Sequence, residues 1–230
     1  MSIFAISDLH LSLNCDKTMV VFPGWENYVD RIKENWFKNI KDDDTVIIAG
    51  DISWAKKISE AKEDFKFIHE LPGKKIIFRG NHDYWWTTKT AVCRFLEENC
   101  FNSISVMFNS SYIIEGKSIC GARGWMYNPQ EKRDEKILAR EVGRLKMSLD
   151  DAASKTDITP IVFLHYPPLY GNQYSEEIMR ILIERNIKKC YYGHIHGYGS
   201  RKFVVEGLHY GIDFKLISCD YINFAPILVS

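Results

Sequence analysis

The 230-residue sequence contains no C-x-x-C pair, no long apolar run and no surplus of charge, and each absence removes a class of protein. Its six cysteines (Cys15, Cys93, Cys100, Cys120, Cys190 and Cys219) are scattered, which argues against a thiolate zinc site, and a chain this long needs no disulfide staples. Reduced, packed thiols are expected. No charged start leads into a long apolar stretch, so neither a secretory signal nor a membrane-spanning helix is expected, and the expected location is cytoplasmic. Lys plus Arg equals Asp plus Glu at 30 each, which leaves no global field to draw the chain to nucleic acid or an anionic membrane; only a local basic groove stays open. Repeats, low-complexity tracts and linkers are missing too. With 46% hydrophobic and 26% charged residues the composition is that of a globular chain, and one domain spanning 1–230 is expected.

What is present is a repeated local pattern. Ser2 to Ser7, Thr45 to Ala49, Lys75 to Phe78, Pro160 to Leu164 and Lys189 to Tyr192 are short apolar-rich runs of the buried-strand type. Between the first three lie apolar residues at helical spacing: Tyr28, Ile32, Trp36 and Ile40, then Ile58, Ala61, Phe65 and Ile68. Strands alternating with helices predict an α/β chain with parallel pairing. Ser111 to Ile114 and Ser118 to Cys120 flank Glu115-Gly116-Lys117 and predict a hairpin. A long amphipathic helix follows from about Glu131 to Ala153, and Ile178 to Ile183 is helical. Phe203 to Val205, Phe214 to Ser218 and Ile227 to Val229 suggest a closing β meander.

Each of the five runs stops at a polar cluster: Asp8 with His10, Asp51, Asn81 with His82 and Asp83, His165, and His194 with His196. The carboxyl ends of parallel strands converge on one edge, where ligands bind, so these clusters are expected to meet. Five of the seven histidines belong to the set. One such histidine is ordinarily a hydrogen-bonded loop residue, but a histidine or carboxylate at every successive strand end is hard to explain as decoration. Carboxylate, imidazole and amide without cysteine form a mixed nitrogen and oxygen shell suited to two divalent transition-metal ions sharing one carboxylate. Manganese is the first choice, with iron, zinc, cobalt or nickel as alternatives.

Asp8-x-His10, Gly50-Asp51, Gly80-Asn81-His82-Asp83, His165 and Gly193-His194-x-His196, in this order, resemble the calcineurin-like metallophosphoesterase superfamily. The resemblance runs from the first strand to His196. It implies a four-layer α/β/β/α sandwich of two mixed sheets flanked by helices. It further implies one metal held by Asp8, His10, Asp51 and His196 and another by Asp51, Asn81, His165 and His194. His82 matches the family's catalytic histidine, with Asp83 expected to orient it by accepting a hydrogen bond from its ring. The second motif departs from the common Gly-Asp-x-x-Asp form, since Trp54 stands where the second acid would be.

The implied reaction is metal-assisted hydrolysis of a phosphate ester, with a small phosphorylated molecule as partner and nucleic acid disfavoured. Arg123 could clamp a phosphate or sit in a surface ion pair. Tyr84 could stack on substrate, while Trp85, Trp86, Trp125 and Tyr127 could rim the site or simply pack. The aromatic excess over arginines Arg79 and Arg123 favours a diester over a monoester. A monoesterase, a nuclease and a non-catalytic scaffold are the alternatives.

Overall fold

A computed structural model describes residues 1–126 and 132–230, with only the backbone of Lys132 and Arg133. The expected strands form with their ends trimmed: β1 (Ile3–Ile6), β2 (Thr45–Ile48) and β3 (Lys74–Ile77), separated by α1 (Tyr28–Asn39) and α2 (Lys62–Glu70). Then come α3 (Lys89–Glu98) and β4 (Ile104–Val106), neither of which the apolar patterning had signalled, and the hairpin of β5 (Tyr112–Ile114) and β6 (Lys117–Ala122). Glu115 and Gly116 join these two strands with φ of 50° and 69°, the left-handed pair that a two-residue hairpin turn requires. The second half contains α4 (Lys132–Ala153), β7 (Ile161–Leu164), a two-stranded excursion of β8 (Leu169–Tyr170) and β9 (Gln173–Tyr174), α5 (Glu176–Glu184) and β10 (Lys189–Tyr192). It closes with the short α6 (Tyr198–Arg201), β11 (Gly207–His209), β12 (Ile212–Leu216) and β13 (Ile227–Leu228). The expected start of α4 at Glu131 lies outside the described residues.

Two mixed sheets result. The first runs β13-β1-β2-β3-β4 and the second β11-β12-β10-β7-β6-β5. Pairing is parallel throughout the centre of each, with antiparallel strands β13, β11 and β5 only at the edges. The meander expectation needs correcting. β12 is parallel to β10 in the second sheet, β13 joins the first sheet against β1, and Phe203 to Val205 follow α6 without forming a strand.

Period-two alternation explains the layers. Ile3, Ala5, Ile47, Ala49, Ile76 and Phe78 point from the first sheet onto Ile119, Ile161, Phe163 and Tyr191 of the second, forming the central core. Their neighbours Ile6, Val46, Ile48 and Ile77 face the opposite way, onto Ile32, Trp36, Phe65 and Val92 of α1, α2 and α3. On the far side Cys120, Val162, Leu164 and Cys190 pack beneath Leu138, Leu145 and Leu149 of α4 and Ile178 and Leu182 of α5. Helix, sheet, sheet and helix are therefore stacked, as expected. The buried cysteines pack as thiols, and all six are free. Among the described residues no helix is long and apolar enough to cross a membrane.

The central strands pack so closely that some positions accept no side chain. A Cβ on Gly121 in β6 would lie 1.9 Å from the Phe163 carbonyl oxygen of β7, a backbone atom that cannot turn aside. Gly121→Ala is expected to cost about 1–3 kcal/mol, the range for forced overpacking; urea unfolding of the two proteins measures it.

Candidate metal centre

The polar clusters meet where β1, β2, β3, β7 and β10 end. Asp8, His10 and His196 bring ligand-type atoms within 4.8 Å of one another, as do Asp51, His165 and His194. Asp51 stands between the two groups: its Oδ2 lies 3.7 Å from Nε2 of His10 and 3.5 Å from Nε2 of His165. Asn81 belongs to the second group, its Oδ1 lying 2.6 Å from Nε2 of His165 and 2.9 Å from Nδ1 of His194. All seven residues expected as ligands are thus gathered at one place.

Unusual backbone makes this possible. Asp8, His10, Asp51 and His194 have φ of 59°, 46°, 51° and 70°, left-handed values uncommon outside glycine although tolerated by Asp and His. Each turns the chain sharply as it leaves a strand. The neighbouring glycines let the turns approach: a Cβ on Gly80 would lie 2.1 Å from Asp51 Oδ1, and one on Gly193 would lie 2.1 Å from Ser7 Oγ and 2.6 Å from Asp8 Oδ2. Such conformations cost of order 1–3 kcal/mol each and persist where the surroundings over-determine them.

The surroundings do so through hydrogen bonds. Asp8 Oδ2 accepts from His194 N at 2.9 Å and from Ser218 Oγ at 2.9 Å. His165 Nδ1 lies 3.1 Å from the Ala49 carbonyl oxygen, a contact that places the proton on Nδ1 and leaves the Nε2 lone pair facing Asp51 and Asn81. His82 N donates to Asp51 Oδ1 at 2.7 Å. Ser53, next to Trp54, bonds Asp64, which also accepts from Leu13 N at 2.8 Å.

Asp83 requires a correction. Its buried carboxylate does not take a hydrogen bond from the ring of His82. It accepts from the backbone N–H groups of Gly80 (2.7 Å), Asp51 (3.0 Å), Ile52 (2.8 Å) and Ser53 (3.3 Å), and from Trp85 Nε1 (3.1 Å). Asp83 therefore fixes the loops that carry Asp51 and Asn81. The His82 ring instead has Nδ1 3.3 Å from the Tyr84 hydroxyl and lies against Trp54 with centroids 4.4 Å apart.

Other expectations are redistributed. Tyr84 is 57% exposed, whereas Trp85 at 0% and Trp86 at 2% belong to the core and do not rim the site. Tyr127 lies outside the described residues. Arg123 is neither a free clamp nor a surface pair: its Nη2 is 3.0 Å from Oε1 of the fully buried Glu141, which Arg144 also meets at 2.8 Å. Trp125 lies beneath that guanidinium, 4.8 Å from the ring centroid. Ser218 and Asp64 were not picked out by their chemistry in the sequence, and Trp54 was singled out only as the residue standing where a second acid is common. The position of Ser218 at the end of an apolar run, like that of the clusters themselves, was the one available signal.

The electrostatics test whether metal ions suit these groups. Burial pushes the Asp8 carboxyl up to about 6, with His196 the main opposing influence. Burial, then Asp8 and Asp83 beside it, holds Asp51 well above the usual carboxylate range. Burial also pushes His194 down to about 3, His82 down to about 4, and His10 and His165 well below the ordinary imidazole range. Burial thus opposes charge on the imidazoles of His10, His82, His165 and His194 and on the carboxyls of Asp8 and Asp51 alike, and among the described residues no lysine or arginine pairs with either carboxyl. Among the described residues both ring nitrogens of His10 and Oδ2 of Asp51 are buried without a hydrogen-bond partner, an arrangement that is costly unless a cation completes it. The residues fit two divalent ions.

With this geometry the comparisons agree. The family model for calcineurin-like phosphoesterases matches residues 1–198. The chain belongs to that family and is a metal-dependent phosphoesterase with two candidate metal-binding groups. No curated protein matches it by sequence. Among solved structures it resembles a protein of unknown function, AQ665, from Aquifex aeolicus (18% identity, TM-score 0.54, covering 99% of this chain and 95% of that one). It also resembles phosphopantetheinyl hydrolase from Mycobacterium tuberculosis (14%, 0.54, 99% and 95%) and TT1561 of Thermus thermophilus (14%, 0.54, 84% and 81%). At these identities the likeness is one of fold.

Manganese added to metal-free protein should raise its melting temperature, since a ligand at a hundredfold its Kd adds about 2.7 kcal/mol of stability. Asp51→Asn should lose most of that rise. Without metal, Asp51→Asn should be no less stable than wild type, because it removes a carboxyl whose ionisation burial opposes and keeps an oxygen for His82 N–H. Thermal unfolding in chelator and in manganese checks both outcomes; an undiminished manganese response in Asp51→Asn would remove Asp51 from the centre.

Proposed function

We propose that the chain hydrolyses small phosphate esters at two divalent transition-metal ions, manganese first among them, and that phosphodiesters are the preferred class. The observation that carries this reading is the partnerless Asp51 carboxylate oxygen set between His10 and His165. Asp8, His10 and His196 would hold one ion and Asn81, His165 and His194 the other, with Asp51 shared. Two such ions supply Lewis acidity, an activated water and charge neutralisation at phosphorus.

The chain's own residues then have distinct tasks. Asp83 and Ser218 keep Asp51 and Asp8 in register, the first through the Asp51 N–H and the second through the Asp8 carboxylate. His82 is tethered by its own N–H to Asp51 and by its ring to Tyr84, so it can present a ring N–H to the departing oxygen or to the phosphoryl charge without being a ligand. Tyr84, being exposed, is free to meet the substrate's organic part. The diester preference rests on what the centre lacks: the Arg123 guanidinium, the expected clamp for a dianionic monoester, is engaged with Glu141. Net charge zero favours a small-molecule substrate over a nucleic acid.

Elemental analysis of gently purified protein should find close to two transition-metal ions per chain. Bis(p-nitrophenyl) phosphate should be cleaved with a higher kcat/KM than p-nitrophenyl phosphate, and a clear monoesterase preference would overturn the diester assignment. His82→Ala should lower turnover by about a hundredfold or more while leaving metal content near wild type; loss of metal together with activity would make His82 a ligand.

A further inference from the structure

The cations near the centre are mostly engaged. Arg123 and Arg144 converge on Glu141, and Arg201 is held 3.1 Å from Asp220. Lys17 differs. It is exposed, on the segment between β1 and α1, and among the described residues its ammonium forms no ion pair or hydrogen bond. It sits 3.1 Å above the ring centroid of Trp54. Trp54 is nearly buried and stacks on His10 with centroids 4.6 Å apart and planes 20° apart, and it also lies against His82. The indole thus links one solvent-facing ammonium to a residue of the first metal group and to His82.

A cation resting on an aromatic face is held in place, but its three N–H donors are not used up. A carboxylate reaching it would gain charge-assisted hydrogen bonds without displacing any existing ion pair. Because the indole beneath Lys17 also lies against His82, with ring centroids 4.4 Å apart, the ammonium stands one ring's width from the histidine that would protonate or stabilise the departing oxygen.

We infer that Lys17, held over Trp54, forms an anion subsite beside His82, so that the favoured substrates carry a second anionic group, a carboxylate or a phosphate, on the departing portion. The inference rests on the phosphoester reading for the identity of the substrate, but the subsite itself is a matter of binding.

The test is equilibrium binding to manganese-loaded protein, by calorimetry, of two monoanionic diester mimics that carry no P–O–C bond to hydrolyse: (4-carboxybenzyl)(methyl)phosphinic acid and (4-carbamoylbenzyl)(methyl)phosphinic acid. They differ by one charge at the far end of the ring. Wild type should bind the carboxylate compound about three- to tenfold more tightly, the size of one partly exposed charge-assisted contact. Lys17→Met should reduce that ratio to near one with the affinity for the carbamoyl compound unchanged, and Lys17→Arg should retain most of it. Equal affinities in wild type, or a preference that survives in Lys17→Met, would overturn the subsite. A preserved preference in a protein that cleaves no phosphate ester would instead fault the hydrolase reading and leave the subsite standing.

Discussion

Two carboxylates, Asp8 and Asp51, are buried with no lysine or arginine among the described residues paired to either. Ionising both in a low-dielectric interior is costly, so without a metal burial drives their carboxyls toward the protonated form, and a cation supplied from outside is what lets both stay charged. Much of the local structure follows from that requirement. The left-handed turns at Asp8, His10, Asp51 and His194 aim side chains inward, the glycines at 80 and 193 let loops touch, and Asp83 commits its carboxylate to four backbone N–H groups to keep those loops still. The sandwich supplies the rigid frame against which this arrangement is held.

The sheet ends were legible because two independent regularities coincide there. Buried strands such as Thr45–Ile48 read as apolar runs, and the residues that follow them carry five of the chain's seven imidazoles. The gathering of Asp8, His10, Asp51, Asn81, His165, His194 and His196 followed from that coincidence together with parallel pairing. Contacts between residues distant in sequence were not legible. Trp85 and Trp86 adjoin the histidine motif, yet their rings go into the core with Phe65, because the chain turns inward immediately after Asp83. Asp83 itself looked like a partner for its neighbour's ring, and only the folded loops show that four backbone N–H groups, three of them from the loop after β2, reach it first. Phe203 to Val205 had the composition of a strand, but the edge position beside β12 is filled by Gly207–His209.

Trp54 shows how a departure from a family's pattern can be absorbed. The loop after Asp51 holds its shape without a second acid at that place. Asp83 binds the backbone of Ile52 and Ser53, Asp64 binds the Ser53 side chain, and Trp54 N donates to the Leu11 carbonyl at 2.9 Å. The position is thereby freed for an indole that packs against His10 and His82.

The pairing of β13 with β1 has a consequence for synthesis. His194 and Ser218, which hold the Asp8 carboxylate, lie 186 and 210 residues further along the chain than Asp8 itself, and the strand that closes the other flank of β1 comes later still. Each metal group includes His194 or His196 beside residues from earlier strand ends, so neither donor set is whole until the chain has been made through that loop. The two donor sets therefore draw on both sheets of the sandwich at once, and neither sheet alone could supply one.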